Sequence, residues 1–241
     1  MSEEQKGALI ITQLPTEGSC SIGSTLIKRG FRVKTLSAPR SDLSEIDPLR
    51  PDILVVMGGP IGVYQHEDYP FLKHEIEILK SRLEADKPTI GVCLGAQLMA
   101  ASLGSKVYPG EQGQELGWSP LQINDAGQNT PAHHFDSSKT NMFHWHGDTF
   151  DLPAGATLLA SSEKYQNQIY QTGENGLGLQ CHPEVRDGQL QEWFVKFVAQ
   201  ITGENPIVPL EKLRAETKAH IGTLNTQAEL FFNEWLEERG L

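Results

Sequence analysis

Four short apolar runs, at residues 8–14, 31–36, 53–57 and 89–92, are separated by stretches long enough to hold a helix. This alternation constrains the fold more than any other feature of the chain. Segments near 21–28 and 71–84 carry helical amphipathic spacing. Strands joined through helices need crossover connections, so the expected fold is α/β: a mainly parallel central sheet with helices on both faces. In such sheets the loops at the carboxyl ends of the strands gather the ligand site. After a helix expected at 96–103 the runs shorten, near 121–123, 141–144, 157–161, 168–171 and 177–181, and predict a smaller antiparallel part. A helix is then expected over 189–201, with Trp193, Phe194, Phe197 and Val198 on its buried side.

The fourth run ends in Gly91-Val92-Cys93-Leu94-Gly95-Ala96-Gln97. A strand that ends in a cysteine bracketed by glycines and then turns helical has the layout of a nucleophile elbow. The glycines permit a tight turn and leave Cys93 at a helix N-terminus, where unpaired N–H groups and the helix dipole favour a thiolate. Downstream, Gly178-Leu179-Gln180-Cys181-His182-Pro183-Glu184 supplies a histidine with a glutamate two residues on. In an extended strand i and i+2 share a face, so Glu184 is expected to orient His182. Together the segments read as a Cys93-His182-Glu184 triad.

These motifs, with Val55-Val56-Met57-Gly58-Gly59-Pro60 after the third strand, resemble the class I, triad-type glutamine amidotransferases. The resemblance covers roughly residues 8–202, with three motifs in the expected order. Gly58-Gly59-Pro60, Val63-Tyr64 and His146-Gly147-Asp148 look most like the amidotransferase domain of GMP synthase. It implies a flavodoxin-like architecture and a thiolate attack by Cys93 on the side-chain amide of glutamine. His182 would pass a proton to the departing ammonia, and Glu184 would hold His182. It further implies an oxyanion hole from the backbone N–H groups of Gly59 and Leu94, and substrate contacts at Gln97, Trp145, Gly147 and Asp148. Trp145 departs from the pattern, since relatives usually carry a small residue there. No cofactor and no metal are implied.

A formal net charge of −11 disfavours nucleic acid and anionic membrane as partners. No apolar run reaches membrane-spanning length, and Met1-Ser2-Glu3-Glu4-Gln5-Lys6 leads into the first strand without the apolar core of a signal peptide. The three cysteines, Cys20, Cys93 and Cys181, have no metal-site spacing, and a reducing cytoplasm is the expected compartment.

Other histidines and one cysteine carry competing readings. His144 and His146, with Asp148, would place three metal ligands on one strand face, but the resemblance already accounts for that segment. Ala132-His133-His134-Phe135 lies in a polar, breaker-rich stretch and is expected to be a surface loop. Cys181 precedes the histidine and is expected to face the core. Residues 1–202 are read as one amidotransferase-like domain and 203–241 as a helical extension. A breaker cluster at 203–206 precedes two expected helices, at 211–221 and 226–239. The second carries Leu230, Phe231, Trp235 and Leu236, expected to pack back on the domain, with an oligomer or partner surface as the other reading.

Three functions fit these features. The first is a glutamine amidotransferase or glutaminase whose ammonia passes to a separate synthetase subunit. The second is a stand-alone γ-glutamyl peptidase acting on glutathione-like molecules, and the third a non-catalytic binding protein. The intact Cys-His-Glu set favours the first two.

Overall fold

A computed structural model describes residues 5–202 and 206–241. Residues 203–205 of the expected breaker cluster lie outside the described residues. The first half alternates strand and helix: β1 (Gly7–Thr12), α1 (Cys20–Lys28), β2 (Arg32–Ser37), β3 (Ile53–Val56), α2 (Phe71–Glu84), β4 (Thr89–Val92) and α3 (Leu94–Ser102). The second half holds β5 (Val107–Pro109), β6 (Glu115–Ser119), β7 (Gln122–Ile123), the short α4 (Asp125–Gln128), β8 (Met142–His146), β9 (Asp148–Phe150), β10 (Thr157–Ser161), β11 (Ile169–Thr172) and β12 (Gly176–Leu179). Three helices follow: α5 (Asp187–Lys196), α6 (Val198–Ile201) and α7 (Leu210–Glu237).

Eight strands form the central sheet in the order β2-β1-β3-β4-β12-β11-β10-β7. The pairings from β2 through to β12 are parallel and those from β12 to β7 antiparallel. Two antiparallel ribbons, β5-β9 and β6-β8, complete the smaller part. Parallel strands covered on both faces read as continuous apolar runs, and β3, β4 and β12 are buried at every residue.

Side-chain alternation sorts the strands between two cores. Ala8, Ile10, Ile53, Val55, Ile90 and Val92 meet α1, α5 and α7 on one face. Leu9, Ile11, Leu54 and Val56 meet α2 and α3 on the other. Arg82 of α2 is fully buried and ties the amino ends of β3 and β4 together. It donates to the carbonyls of Pro48 (2.7 Å), Pro51 (2.9 Å) and Pro88 (2.6 Å) and to Thr89 Oγ1 (3.0 Å).

Several expectations change. The two helices expected at the C-terminus are one, α7, which runs through Gly222. A glycine within a helix costs about 1 kcal/mol. Burial of Leu213, Leu224, Phe231, Phe232, Trp235 and Leu236 on one side outweighs it, at roughly 1.5–3 kcal/mol per large side chain. Leu230 faces outward, 47% exposed, while Phe231, Trp235 and Leu236 join the core beside α1.

The helix expected over 189–201 starts earlier, at Asp187, and breaks at Phe197 into α5 and α6. Val198, expected to be buried, is 46% exposed. The stretch around His133 is not a surface loop but a 3-10 turn, Pro131–Phe135, with Ala132 and Phe135 buried against α7. His134 Nε2 lies 2.6 Å from the Glu234 carboxylate of α7. The local run of breakers concealed this because its partner lies 100 residues away.

Candidate active site

Cys93 sits between β4 and α3 with φ 51° and ψ −108°, in the left-handed region that side chains other than glycine rarely occupy. The surrounding packing holds this strained turn. A Cβ on Gly95 would collide with the Val56 carbonyl, and one on Gly91 would lie 2.5 Å from the Gly95 carbonyl oxygen. Only glycines let α3 approach the sheet so closely. Cys93 N donates to Leu179 O at 2.7 Å, which locks the elbow to β12. The thiol therefore stands at the carboxyl end of β4, at the first turn of α3.

The Gly58-Gly59-Pro60 loop leaves the carboxyl end of β3 beside it. A Cβ on Gly58 would lie 3.1 Å from a Glu17 carboxylate oxygen, 3.3 Å from Cys93 Cβ and 3.6 Å from His182 Cε1. One on Gly59 would meet Gln13 at 2.7 Å and Leu94 at 3.0 Å. The backbone N–H groups of Gly59 and Leu94 have no hydrogen-bond partner among the described residues. Two adjacent free donors beside a nucleophile are the ingredients of an oxyanion hole.

His182 and Glu184 come together for a different reason from the strand alternation expected. β12 ends at Leu179, and residues 182–184 form an irregular turn around Pro183. The turn is pinned at both ends, by His182 N to Phe143 O (2.9 Å) and by Ser21 N to Glu184 O (3.0 Å). The two side chains meet at 2.8 Å, His182 Nδ1 to Glu184 Oε1, and both are buried. Trp193 of α5 packs edge-on against the imidazole, with ring centroids 5.1 Å apart. Burial works against a charged ring, yet the Glu184 carboxylate and Cys93 outweigh it and hold the His182 proton well above the ordinary histidine range.

Cys93 and His182 line one cavity of about 240 Å³, together with Gly59, Gln97, Trp145, Gly147 and Asp148. Glu184 lies behind the imidazole, outside the lining. Gln97 is held by Gln180 Oε1 at 3.0 Å. Asp148 stands beside Tyr64, and burial raises its carboxyl. Trp145, whose Nε1 donates to Gln200 Oε1 at 2.8 Å, turns its ring to Trp193 and Phe197 and forms a wall of the cavity. Cys181 is fully buried, and burial pushes its thiol well up.

Four acidic or amide side chains at or near this site are absent from the sequence reading. Glu17, in the loop after β1, lines the cavity while only 6% exposed, and burial lifts its carboxyl to about 7. The rule that loops at strand carboxyl ends gather ligands would have reached it. Gln13 and Glu75, both buried behind Gly59, meet at 2.7 Å (Nε2 to Oε1). Gln13 Oε1 and Glu75 Oε2 have no hydrogen-bond partner among the described residues, and burial lifts the Glu75 carboxyl to about 8. The fourth is Glu115. It takes the place given to Asp148 beside the histidines, with Oε2 at 2.9 Å from His146 Nε2 and 3.5 Å from His144 Nδ1. No local pattern could have paired β6 with β8 in the register that makes this contact.

The elbow, the glycine loop and the His-Glu turn, set on this sheet, define a class of cysteine-centred α/β proteins, and comparison with known proteins gives the family. The profile described as glutamine amidotransferase class-I matches residues 19–201, so the chain belongs to that family. A glutamine amidotransferase-like protein of Salmonella typhimurium is 37% identical over 55% of this chain and 56% of its own length. A GMP synthase (glutamine-hydrolyzing) of Neisseria meningitidis is 30% identical over 68% of this chain and 30% of its own length. The chain thus spans about half, or less, of the curated relatives it matches. A glutamine amidotransferase structure from Thermotoga maritima superposes with a TM-score of 0.82 at 30% identity, covering 98% of this chain and 100% of that one. One from Methylobacillus flagellatus gives 0.88 at 26% identity, covering 97% and 95%.

Proposed function

We propose that the protein hydrolyses a γ-carboxamide, with glutamine as the reference substrate, through a thioester on Cys93. The observation that carries this reading is the strained Cys93 beside a buried His182–Glu184 pair, with two backbone donors next to it, at Gly59 and Leu94, that have no partner among the described residues. The Cys93 thiolate attacks the amide carbon to form a C–S bond, and the carbonyl oxygen becomes an oxyanion held by the N–H groups of Gly59 and Leu94. His182 gives its proton to the amide nitrogen, the C–N bond breaks and the amine leaves. A water then loses a proton to His182 and attacks the thioester, releasing the γ-carboxylate and freeing the thiol. Glu184 keeps the ring oriented through both transfers. Gln97, Gly147, Asp148 and Tyr64 face the half of the cavity suited to the amino-acid end.

In the amidotransferase form of this reading the ammonia passes to an acceptor site on a synthetase partner, as the GMP synthase relatives suggest. The peptidase form, acting on a larger γ-glutamyl amide, is favoured by one observation: Trp145, Trp193 and Phe197 wall a space on the His182 side of the cavity. Three unpaired cysteines suit a reducing compartment such as the cytoplasm. Among the described residues no helix is long and apolar enough to cross a membrane.

The test is ammonia or amine release from glutamine and from γ-glutamyl dipeptides, with intact-mass detection of a glutamyl adduct on Cys93. Turnover on both classes with glutamine preferred supports the amidotransferase form. Turnover on dipeptides with glutamine poor supports the peptidase. No turnover and no adduct on either would sink both.

A further inference from the structure

The triad mechanism leaves Glu17 unused, although this carboxylate sits at the reacting centre. Its Oε2 approaches the same Gly58 face that Cys93 and His182 approach. The side chain is buried and lines the cavity, its carboxylate makes no hydrogen bond among the described residues, and His182 and Lys196 act on it only through space. A buried carboxylate without a partner is unfavourable unless something fills the role. The loop that carries it is fixed. Trp193 Nε1 and Gln189 Nε2 of α5 donate to Thr16 O (2.8 Å) and Gly18 O (2.9 Å), and Lys196 Nζ reaches Thr16 Oγ1 (2.8 Å).

The cavity has two halves, with Cys93 between them. One holds Gln97, Tyr64 and Asp148, which touch or face one another. The other holds His182, Trp193, Phe197 and Glu17. A proton donor to the leaving nitrogen must lie on the leaving-group side, so His182 marks the second half as the place of the departing amine. That half combines aromatic rings, the His182 imidazolium and a carboxylate, and once His182 has given its proton to the leaving nitrogen the Glu17 carboxylate is the one charged group lining that half among the described residues. No lysine or arginine lines the cavity among the described residues. Lys196 lies near enough to Glu17 to be felt but is engaged by Thr16 and lies over the Phe197 ring, at 5.6 Å. Aromatic faces and a carboxylate attract cations and repel anions. The formal charge of −11 draws cations toward the molecule as a whole.

We propose that Glu17 and the Trp193–Phe197 wall form a leaving-group subsite for a cationic amine. The preferred substrates are then γ-glutamyl amides whose amine carries a second, distal positive charge. This rests on the γ-carboxamide hydrolysis proposed above. It also separates two γ-glutamyl classes, because the leaving group of glutathione is anionic and would meet Glu17 unfavourably.

The experiment compares three γ-glutamyl amides at pH 8, made with butane-1,4-diamine, with butylamine and with 4-aminobutanoate. The expected order of kcat/KM is cationic, neutral, anionic, with at least about a tenfold step from cationic to neutral, equivalent to about 1.4 kcal/mol. Glu17→Gln should collapse the cationic-to-neutral ratio to about one, with the fold checked by circular dichroism. A ratio near one in the wild type, or a ratio untouched by Glu17→Gln, overturns the subsite while leaving the triad reading intact. Calorimetric binding of butane-1,4-diamine supplies a readout without turnover. If no amide is hydrolysed, binding that Glu17→Gln weakens about tenfold supports the cation subsite while the hydrolase reading fails. Absence of binding overturns the subsite.

Discussion

Among the described residues two buried histidine–glutamate pairs have nearly equal length, and only one of them leaves a ring nitrogen without a second oxygen partner. His182 meets Glu184 at 2.8 Å and His146 meets Glu115 at 2.9 Å. The difference lies in what the second ring nitrogen faces. In His182 the nitrogen opposite Glu184 is taken by no carboxylate or carbonyl among the described residues, and the ring lines the cavity with Cys93. His146 lines the same cavity, but both its nitrogens are engaged, Nδ1 with the Asp148 carbonyl (3.0 Å) and Nε2 with Glu115. Glu115 also accepts from Gln168 Nε2 at 2.6 Å and is held at about 2: burial opposes its ionisation, but His146 and His144 outweigh that. Burial pushes His144 down to about 4, so it is neutral at pH 7. A histidine acts as a base when one nitrogen is oriented and the other is left free; with both nitrogens satisfied, the same pair becomes a brace.

The comparison breaks most directly at the nucleophile. Cys93→Ala should lower γ-carboxamide turnover by at least about a thousandfold, as losses of catalytic nucleophiles do, with the circular dichroism spectrum unchanged. Turnover within tenfold of wild type would remove the chemical distinction between the two pairs.

Next come the partners in the proposed catalytic pair. His182→Ala should lower kcat by roughly 10²–10⁴, the range of general acid–base catalysis, and Glu184→Gln by less, about tenfold, because an imidazole remains in poorer orientation. Equal losses would give Glu184 a role beyond orientation.

The brace is expected to respond in stability instead. Glu115→Gln should reduce unfolding free energy by roughly 1–3 kcal/mol, through weakened bonds to buried His146 and Gln168, with kcat changed less than about tenfold. Chemical denaturation and steady-state kinetics on the same preparation decide it. A kcat loss as large as that of Glu184→Gln would place both pairs in the chemistry.

The effect furthest from turnover concerns the pH profile and Glu75, the acid bonded to Gln13 behind the Gly59 loop. Burial raises its folded value to about 8 from 4.5, so the folded protein keeps a proton that the unfolded chain releases. This contribution to stability is full below pH 4.5 and is lost as pH rises toward 8, with a slope of up to about 1.4 kcal/mol per pH unit. Glu75→Gln should therefore flatten the fall in Tm between pH 5 and 8. An unchanged profile would mean that Glu75 is ionised when folded.

Much of the frame was legible because its causes are local. β4 and α2 lie at the residues expected, since apolar runs and helical spacing report burial directly. The elbow was legible because its glycines and cysteine adjoin one another in the chain. The turn at His182 was legible as a motif but not as geometry: the strand stops three residues earlier, and the contact comes from Pro183 and two long-range backbone bonds. Continuous α7 was missed because Gly222 looks like a break until the apolar stripe on either side is seen on one surface.

Sequence alone thus determined the α/β class, the order of its parallel half and a family resemblance resting on Cys93, His182 and Gly58-Gly59, all properties of neighbouring residues. Tertiary structure alone decided that Glu17 turns into the cavity, that Glu115 rather than Asp148 meets the two histidines, and that Gln13 and Glu75 stand behind Gly59. These contacts join residues 31 to 62 positions apart or depend on which way a loop is held. They are set by register and packing between elements, which no local pattern encodes.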